Sequence, residues 1–285
     1  MAYGTKTANV MDIPLSISSV VAPYLGDNGY KFEGSNAIRV LSIANGTLAN
    51  YDEAQATAPF GAPSLINPDE QVLTLAYNKS MLLRIQRTQI QDQPISDFSK
   101  KVALQQADQV FVPAHDAYSL GKILAARPVG NRIYIQLVGA SPSTAFALKF
   151  NQAVDKARTG GSAINNLIAW VSYGFSSQLK DKINFTGSDS GYTDGKNGYL
   201  GKFGGAKVVE VPDLYLTTTV YALITDKRAV VNVTPKMDPT GDGVVVLEKV
   251  PLFSGIEIQL RDRGDTFVLN KQVASIASLE EDPAA

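Results

Sequence analysis

The chain has 285 residues, of which 45% are hydrophobic and 19% charged, and its 26 basic and 27 acidic side chains leave a formal net charge of −1. That length makes one large domain or two ordinary ones and buries on the order of 75% of the unfolded surface. The charged fraction lies below the roughly 25% usual for soluble globular proteins, which leaves surface for other subunits. Zero cysteines exclude disulfides, thiolate metal sites and cysteine nucleophiles. No run reaches the ~20 apolar residues of a membrane span. No basic-then-apolar leader is read at the start, so neither insertion nor export is expected. No Lys/Arg block offers the clustered cations of sequence-independent DNA binding.

Residues 1–30 are small and apolar with Pro14 and Pro23. Ile13, Leu15, Ile17, Val20 and Val21 are too apolar for a solvated tail, so the segment is expected to be either a poorly ordered terminus or an arm laid on a neighbour. In residues 31–92, two strand-like runs at 37–43 and 71–85 flank a loop rich in Ala, Pro, Gly and Asn. A two-stranded hairpin has no core of its own, so Phe60, Leu65 and Ile66 at its tip would stay exposed unless another chain covered them.

Residues 91–128 carry an amphipathic helix pattern. Ser96 is placed as N-cap and Asp97 in the first turn, where acceptor and negative charge satisfy free amides. Apolar side chains follow at Ala103, Leu104, Ala107, Val110, Phe111 and Ala114, spaced by three and four as one stripe. Pro113 is expected to kink or break the helix, and the pattern resumes through Tyr118, Leu120, Ile123 and Leu124. Beyond it come a strand at 132–138, a helix from 143 or 144 to 158 closed by Gly160 and Gly161, a buried strand at 167–171 and a short helix at 175–182. A glycine-rich loop, 192–205, leads into a strand at 205–211. Strands then dominate, at 215–225, 229–234, 244–250, 255–260 and 266–269, before a polar tail over 277–285. Irregular alternation of helices and strands makes the class α+β.

The motifs that could carry catalysis are incomplete. His115 is the single histidine, so any Ser/His/Asp or His-metal chemistry would run through it; a structural role is the expectation. Gly201-Lys202 is followed by Phe203, and Lys196 stands where a phosphate loop needs its first glycine. The run 238–243 begins like a calcium loop but has Lys249 at the twelfth place, with Glu248 one position early. Sequons at Asn45, Asn78, Asn184 and Asn232 are read as chance matches. The carboxylate pairs Asp52 and Glu53, Asp262 and Asp265, and Glu280 to Asp282 are read as solvated, with nothing to raise a pKa. No cofactor or metal is expected, and the chain is not read as an enzyme.

Three strings carry a resemblance. Val112, Pro113, Asp116 and Tyr118 form a Val-Pro-x-x-Asp-x-Tyr motif at the long helix; Asp265, Phe267, Val268 and Lys271 lie in DTFVLNK; and GGAKVVEVPD runs from Gly204 to Asp213. In order and separation these resemble the major capsid proteins of tailed bacteriophages, of the Hong Kong 97-type fold, across roughly residues 31–276. The resemblance implies an N-terminal arm (1–30), an extended β-hairpin loop (31–92) lying across the adjacent subunit, a peripheral domain with the spine helix (93–127 and 226–276), an axial domain (128–225) and the tail. It implies copies assembled as hexamers and pentamers of an icosahedral shell around double-stranded DNA, held without sequence-specific binding, in a virion built in the host cytoplasm. Portal, scaffold, cement and decoration proteins are the partners it implies, with no membrane. Arm residues Ile13, Leu15, Ile17, Val20 and Val21 and tip residues Phe60, Leu65 and Ile66 would make the contacts, and Asp116 would be structural. Some members crosslink through a loop lysine, but between Phe32 and Asn78 this chain has no lysine, so self-crosslinking is not expected. An encapsulin-like nanocompartment shell is the alternative on the same fold; a soluble ligand-binding protein or enzyme is the alternative outside it.

Overall fold

The computed structural model describes residues 18–30, 37–43, 47–51, 53–54, 60–61, 66–86, 98–135, 142–180, 198–233, 244–247 and 254–282. The chain divides into two compact units, residues 30–75 and residues 1–29 with 76–285. The small unit holds β1 (Ala37–Ile43) and β2 (Pro68–Thr74), antiparallel with Ala37 opposite Thr74 and Ile43 opposite Pro68. The expected single strand at 71–85 is therefore two. It ends at Thr74, and β3 (Tyr77–Gln86) belongs to the large unit, where it pairs with β11.

The large unit is built on a six-stranded mixed sheet, β4-β12-β8-β5-β7-β6, comprising Arg132–Ile135, Ala277–Glu281, Val220–Asp226, Leu167–Ser172, Ala206–Val211 and Tyr199–Phe203 in that order. Its central strand β5, LIAWVS, is buried at every position, as a strand covered on both faces must be. Period two sorts its side chains. Leu167, Ala169 and Val171 join Phe146, Phe150 and Phe175 on one face, while Ile168 and Trp170 meet Val20, Val21, Leu120 and Ile123 on the other. The first face is covered by helices at Pro142–Thr159 and Tyr173–Lys180. The second is covered by the long helix and by residues 20–25. A smaller sheet, β10-β11-β3, uses Val244–Leu247 and the 14-residue β11 (Gly255–Val268), with β9 (Val230–Val233) pairing the far end of β11.

The long helix runs from Phe98 through three segments: α1 (Phe98–Gln106), a π turn (Ala107–Phe111) and α2 (Val112–Ala126). Its expected cap at Ser96 and Asp97 lies outside the described residues. Pro113 does not break it. The amide of Val112 donates to the Ala107 carbonyl five residues back, and this wider turn takes up the clash and the missing donor that proline brings to an α-helix. The buried face also departs from the expected stripe. Ala103, Ala107, Phe111, His115 and Ser119 are buried, a strict spacing of four that drifts about 40° per step around a 3.6-residue helix. The π turn offsets part of that drift, and Leu104 and Val110, expected inside, are exposed.

Other elements correct the sequence reading. Part of the expected 192–205 loop, Tyr199–Phe203, is β6, joined to β7 by Gly204 and Gly205, both at positive φ, which is the two-residue turn that right-twisted strands favour. A Cβ at Gly205 would collide with the Ile164 side chain. The strand expected at 215–225 starts only at Val220, after a 3-10 turn at Asp213–Tyr215. The strands at 255–260 and 266–269 are the single β11. The expected polar tail is instead β12, whose Ala277, Ser278, Leu279 and Glu280 are buried between β4 and β8. It is tolerated because Arg127 bonds both Ser278 Oγ, at 2.8 Å, and the Glu280 carboxylate.

Candidate functional site

Two places gather the residues that the sequence singled out. The first is the junction of α2, β11, β3 and residues 19–25, all within the large unit. Asp116, expected to hold a turn after the helix, lies inside α2 and is buried. Its carboxylate accepts the Val20 amide at 2.7 Å and the Ser19 hydroxyl at 2.8 Å, and Trp170 Nε1 donates to the Val20 carbonyl at 3.0 Å. Burial pushes the Asp116 carboxyl up to about 6, against the pull of its bonds to Val20, Ser19 and Val21. Val20 and Val21 are thus held in the subunit's own core, which corrects the expectation that they cover a neighbour. Ile13, Leu15 and Ile17 lie outside the described residues.

Tyr118 and Asp265 come from two different motifs, 147 positions apart, and the fold joins them: the Tyr118 hydroxyl donates to Asp265 Oδ1 at 3.0 Å. Asp265 also accepts the Ala76 amide at 2.9 Å and the Thr266 amide at 2.8 Å, so one carboxylate ties α2 to β11 and to the entry of β3. It is 1% exposed, so the solvated reading of Asp262 and Asp265 is wrong for both. Val112 and Pro113 are half-buried in the first turn of α2. Phe267 and Val268 lie opposite Val231 and Val230 in the β11–β9 pairing, and Lys271 is exposed in the following 3-10 turn, Asn270–Ser275.

His115, Asp262 and Tyr77 were not read as a group from sequence, yet they meet here. Asp262 is only 3% exposed and its Oδ1 has no hydrogen-bond partner among the described residues; burial pushes its carboxyl up to about 6. His115 stacks edge-on to Tyr77 with ring centroids 5.2 Å apart, and its Nε2 also lacks a partner among the described residues. Burial pulls the imidazole below its ordinary range, partly opposed by Asp265. Burial, with the Asp262 charge behind it, pushes the Tyr77 phenol up to about 12. A signal for Asp262 was present: Ile256, Ile258, Leu260 and Asp262 alternate along one face. No described nucleophile bonds His115, so it forms no nucleophile–base pair. Among the described residues no three or more His, Cys, Asp or Glu side chains are grouped to hold a metal, and no helix is long and apolar enough to cross a membrane.

The second place is the small unit, which exposes several large apolar side chains. Leu41, Ile43, Leu48, Tyr51 and Val72 are exposed, with Phe60 at 80% and Ile66 at 53%; Leu65 lies outside the described residues. Phe60 packs against the tilted ring of Tyr51, with centroids 5.1 Å apart. Arg39 and Glu70 make an exposed ion pair at 3.8 Å, which adds little stability. Large exposed apolar patches mark surfaces that meet another body.

No protein-family model matches the sequence, and no curated protein sequence matches it. Solved structures do. The capsid structure of the cyanophage P-SCSP1u aligns with a TM-score of 0.70 at 12% identity, over 98% of this chain and 93% of that one. The mature capsid of bacteriophage PhiM1 aligns with a TM-score of 0.68 at 12% identity, over 99% and 93%. A structure from Mycobacterium phage Bobi gives 0.67 at 15%, over 98% and 96%. The likeness runs end to end in both directions, while the side chains that fill the shared architecture have been almost wholly replaced. The chain has the fold of the tailed-phage major capsid proteins.

Proposed function

We propose that this protein is the major capsid protein of a tailed phage, copies of which self-assemble into an icosahedral shell enclosing double-stranded DNA. The observation that carries the reading is an apolar hairpin unit, with Phe60 and Ile66 exposed, on a chain whose whole length aligns with phage capsid structures. In this reading the helix from Phe98 to Ala126 is the spine helix, and with β3 and β9 to β11 it forms the peripheral domain. The six-stranded sheet is the axial domain, to which β12 then contributes its second strand. Residues 30–75 are the extended loop that covers an adjacent subunit. The shell is held by buried apolar area and not by a covalent link, since the chain has no lysine between Phe32 and Asn78. Each contact is weak, and closure of a symmetric lattice multiplies them. Hexamers and pentamers of the chain, with a portal and any scaffold, cement or decoration protein, make the particle; none requires catalysis by this chain.

The test is electron microscopy of the chain expressed alone, with light-scattering mass on the same fraction. Closed shells or rings of five and six subunits support the reading, and double-stranded DNA in native particles separates a phage shell from a protein-filled nanocompartment. A persistent monomer, at high concentration and with scaffold supplied, overturns it.

A further inference from the structure

Between α1, the π turn, α2, β11 and Ser19 the large unit holds a cavity of about 270 Å³. Its walls are of two kinds. Leu104, Ala107 and Phe111 make one side apolar, while Asp108, Asp116 and Asp262 bring three carboxylates, and no lysine or arginine lines it among the described residues. Asp116 is already engaged by Ser19 and Val20. Asp262 and His115 are not engaged: both line the cavity, both are more than nine-tenths buried, and Asp262 Oδ1 and His115 Nε2 have no partner among the described residues. A buried carboxylate without a partner is costly, and a neutral imidazole offers a lone pair beside it. A carboxylate oxygen accepts, and so does Nε2 when the imidazole proton is on Nδ1.

We propose that this cavity is a receptor for a basic side chain, lysine or arginine, presented by a second copy of this chain. The head group donates to Asp262 Oδ1 and His115 Nε2, and the hydrocarbon stem lies on Leu104, Ala107 and Phe111, as long cationic side chains prefer. Charge complementarity selects the occupant: the charged side chains lining the walls among the described residues are all acidic, and a flat aliphatic ligand would leave both polar atoms unsatisfied. Leu104 at the rim, 58% exposed, is the apolar surface that an approaching subunit would cover. The upward displacement of the Asp262 carboxyl records burial alone, which an incoming cation relieves, while burial still outweighs Asp265 at His115 and keeps that imidazole neutral. This proposal rests on the assembly reading for the source of the side chain, but not for the chemistry of the pocket.

Two peculiarities of the sequence make the test clean. His115 is the only histidine and there are no cysteines, so each position supplies a unique probe. Ethylguanidinium titrated into the unassembled chain should shift the His115 imidazole NMR signals saturably, at concentrations where sodium chloride of equal ionic strength does not. Asp262→Asn, nearly isosteric, should weaken that binding by about tenfold or more, the usual cost of losing a charged hydrogen-bond partner. A Leu104→Cys variant should then react with maleimide in free subunits and be protected in assembled shells. No saturable shift, or equal binding by Asp262→Asn, overturns the cation site and leaves a solvent-filled cavity. Saturable binding with a thiol equally reactive in shells overturns the second copy as the source. Failure to form shells at high concentration with scaffold supplied overturns the assembly reading and that source together, while the histidine titration still decides the pocket chemistry.

Discussion

Asp262 and Asp116 are carboxylates that folding takes out of water, and each is displaced to about 6 from an ordinary 3.8. A folded-state pKa above the unfolded one means that the native state holds the proton more tightly. The stability these groups contribute is therefore full below about 3.8 and lost as pH rises through about 6. His115 works in the opposite direction: displaced downward, it favours the native state above its unfolded pKa and opposes it as pH falls. The wild-type urea midpoint should accordingly respond to both between pH 4 and 7, and Asp262→Asn should remove the acid-favoured part. Since one pKa unit is about 1.4 kcal/mol, the variant should gain on the order of 2 kcal/mol relative to wild type at pH 7 and little at pH 4. Equal differences at both pH values would mean that Asp262 is already neutral or paired. These groups show what sequence could and could not supply at this scale. The resemblance named Tyr118 and Asp265 but not that they bond one another. The alternation Ile258, Leu260, Asp262 places the carboxylate inside, whereas two nearby carboxylates in a turn-like pattern read as solvated.

At the scale of elements, the C-terminal strand carries the sharpest difference between sequence and structure. Ser278, Glu280 and Glu281 read as a solvated end, yet β12 lies between β4 and β8 with Glu280 buried. The compensation comes from Arg127, 153 positions away, and nothing local in either segment announces the other. Arg127 itself is held below its ordinary range by burial, an effect only partly opposed by Glu280. Glu280→Ala should leave that guanidinium buried without its counter-charge and cost about 3 to 5 kcal/mol, read as a lowered denaturant midpoint or as insoluble expression. Glu280→Gln keeps an acceptor for Arg127 and should be milder; equal behaviour of the two would show that charge is not what matters. Residues 19–25 are a second such element. Trp170→Phe keeps an aromatic ring in the core but removes the donor to the Val20 carbonyl and part of the buried volume, so about 1 to 3 kcal/mol should be lost. Hydrogen exchange should quicken at Val20 to Leu25 more than in β5; uniform quickening would mean that the segment is not held by this bond. By contrast the long helix, β5 and the helix at Pro142–Thr159 were legible, because their periodicities of 3.6 or their unbroken apolar runs are local signals.

At the scale of the whole molecule, a fold retained at 12% to 15% identity says that few individual side chains are required, provided the patterns and a small set of buried bonds survive. The same economy does not extend to surfaces that meet other copies, which must match in shape over many contacts at once. Phe60 separates the two demands. It is 80% exposed within its own subunit and touches the Tyr51 ring, so Phe60→Ser should change the unfolding free energy of the unassembled chain by no more than about 0.5 kcal/mol, as for ordinary surface substitutions. If the hairpin tip seats on an adjacent subunit, the loss recurs at every copy. Burying a Phe side chain is worth about 1.5 to 3 kcal/mol, so the concentration needed for assembly should rise by about tenfold or more. Light scattering against protein concentration measures that threshold, and thermal unfolding of the same samples measures the fold. A raised threshold with unchanged unfolding would assign Phe60 to the lattice. An unchanged threshold would remove the tip from the interface and leave Leu41, Ile43 and Val72, on the strands of the same unit, as the apolar surface to be covered.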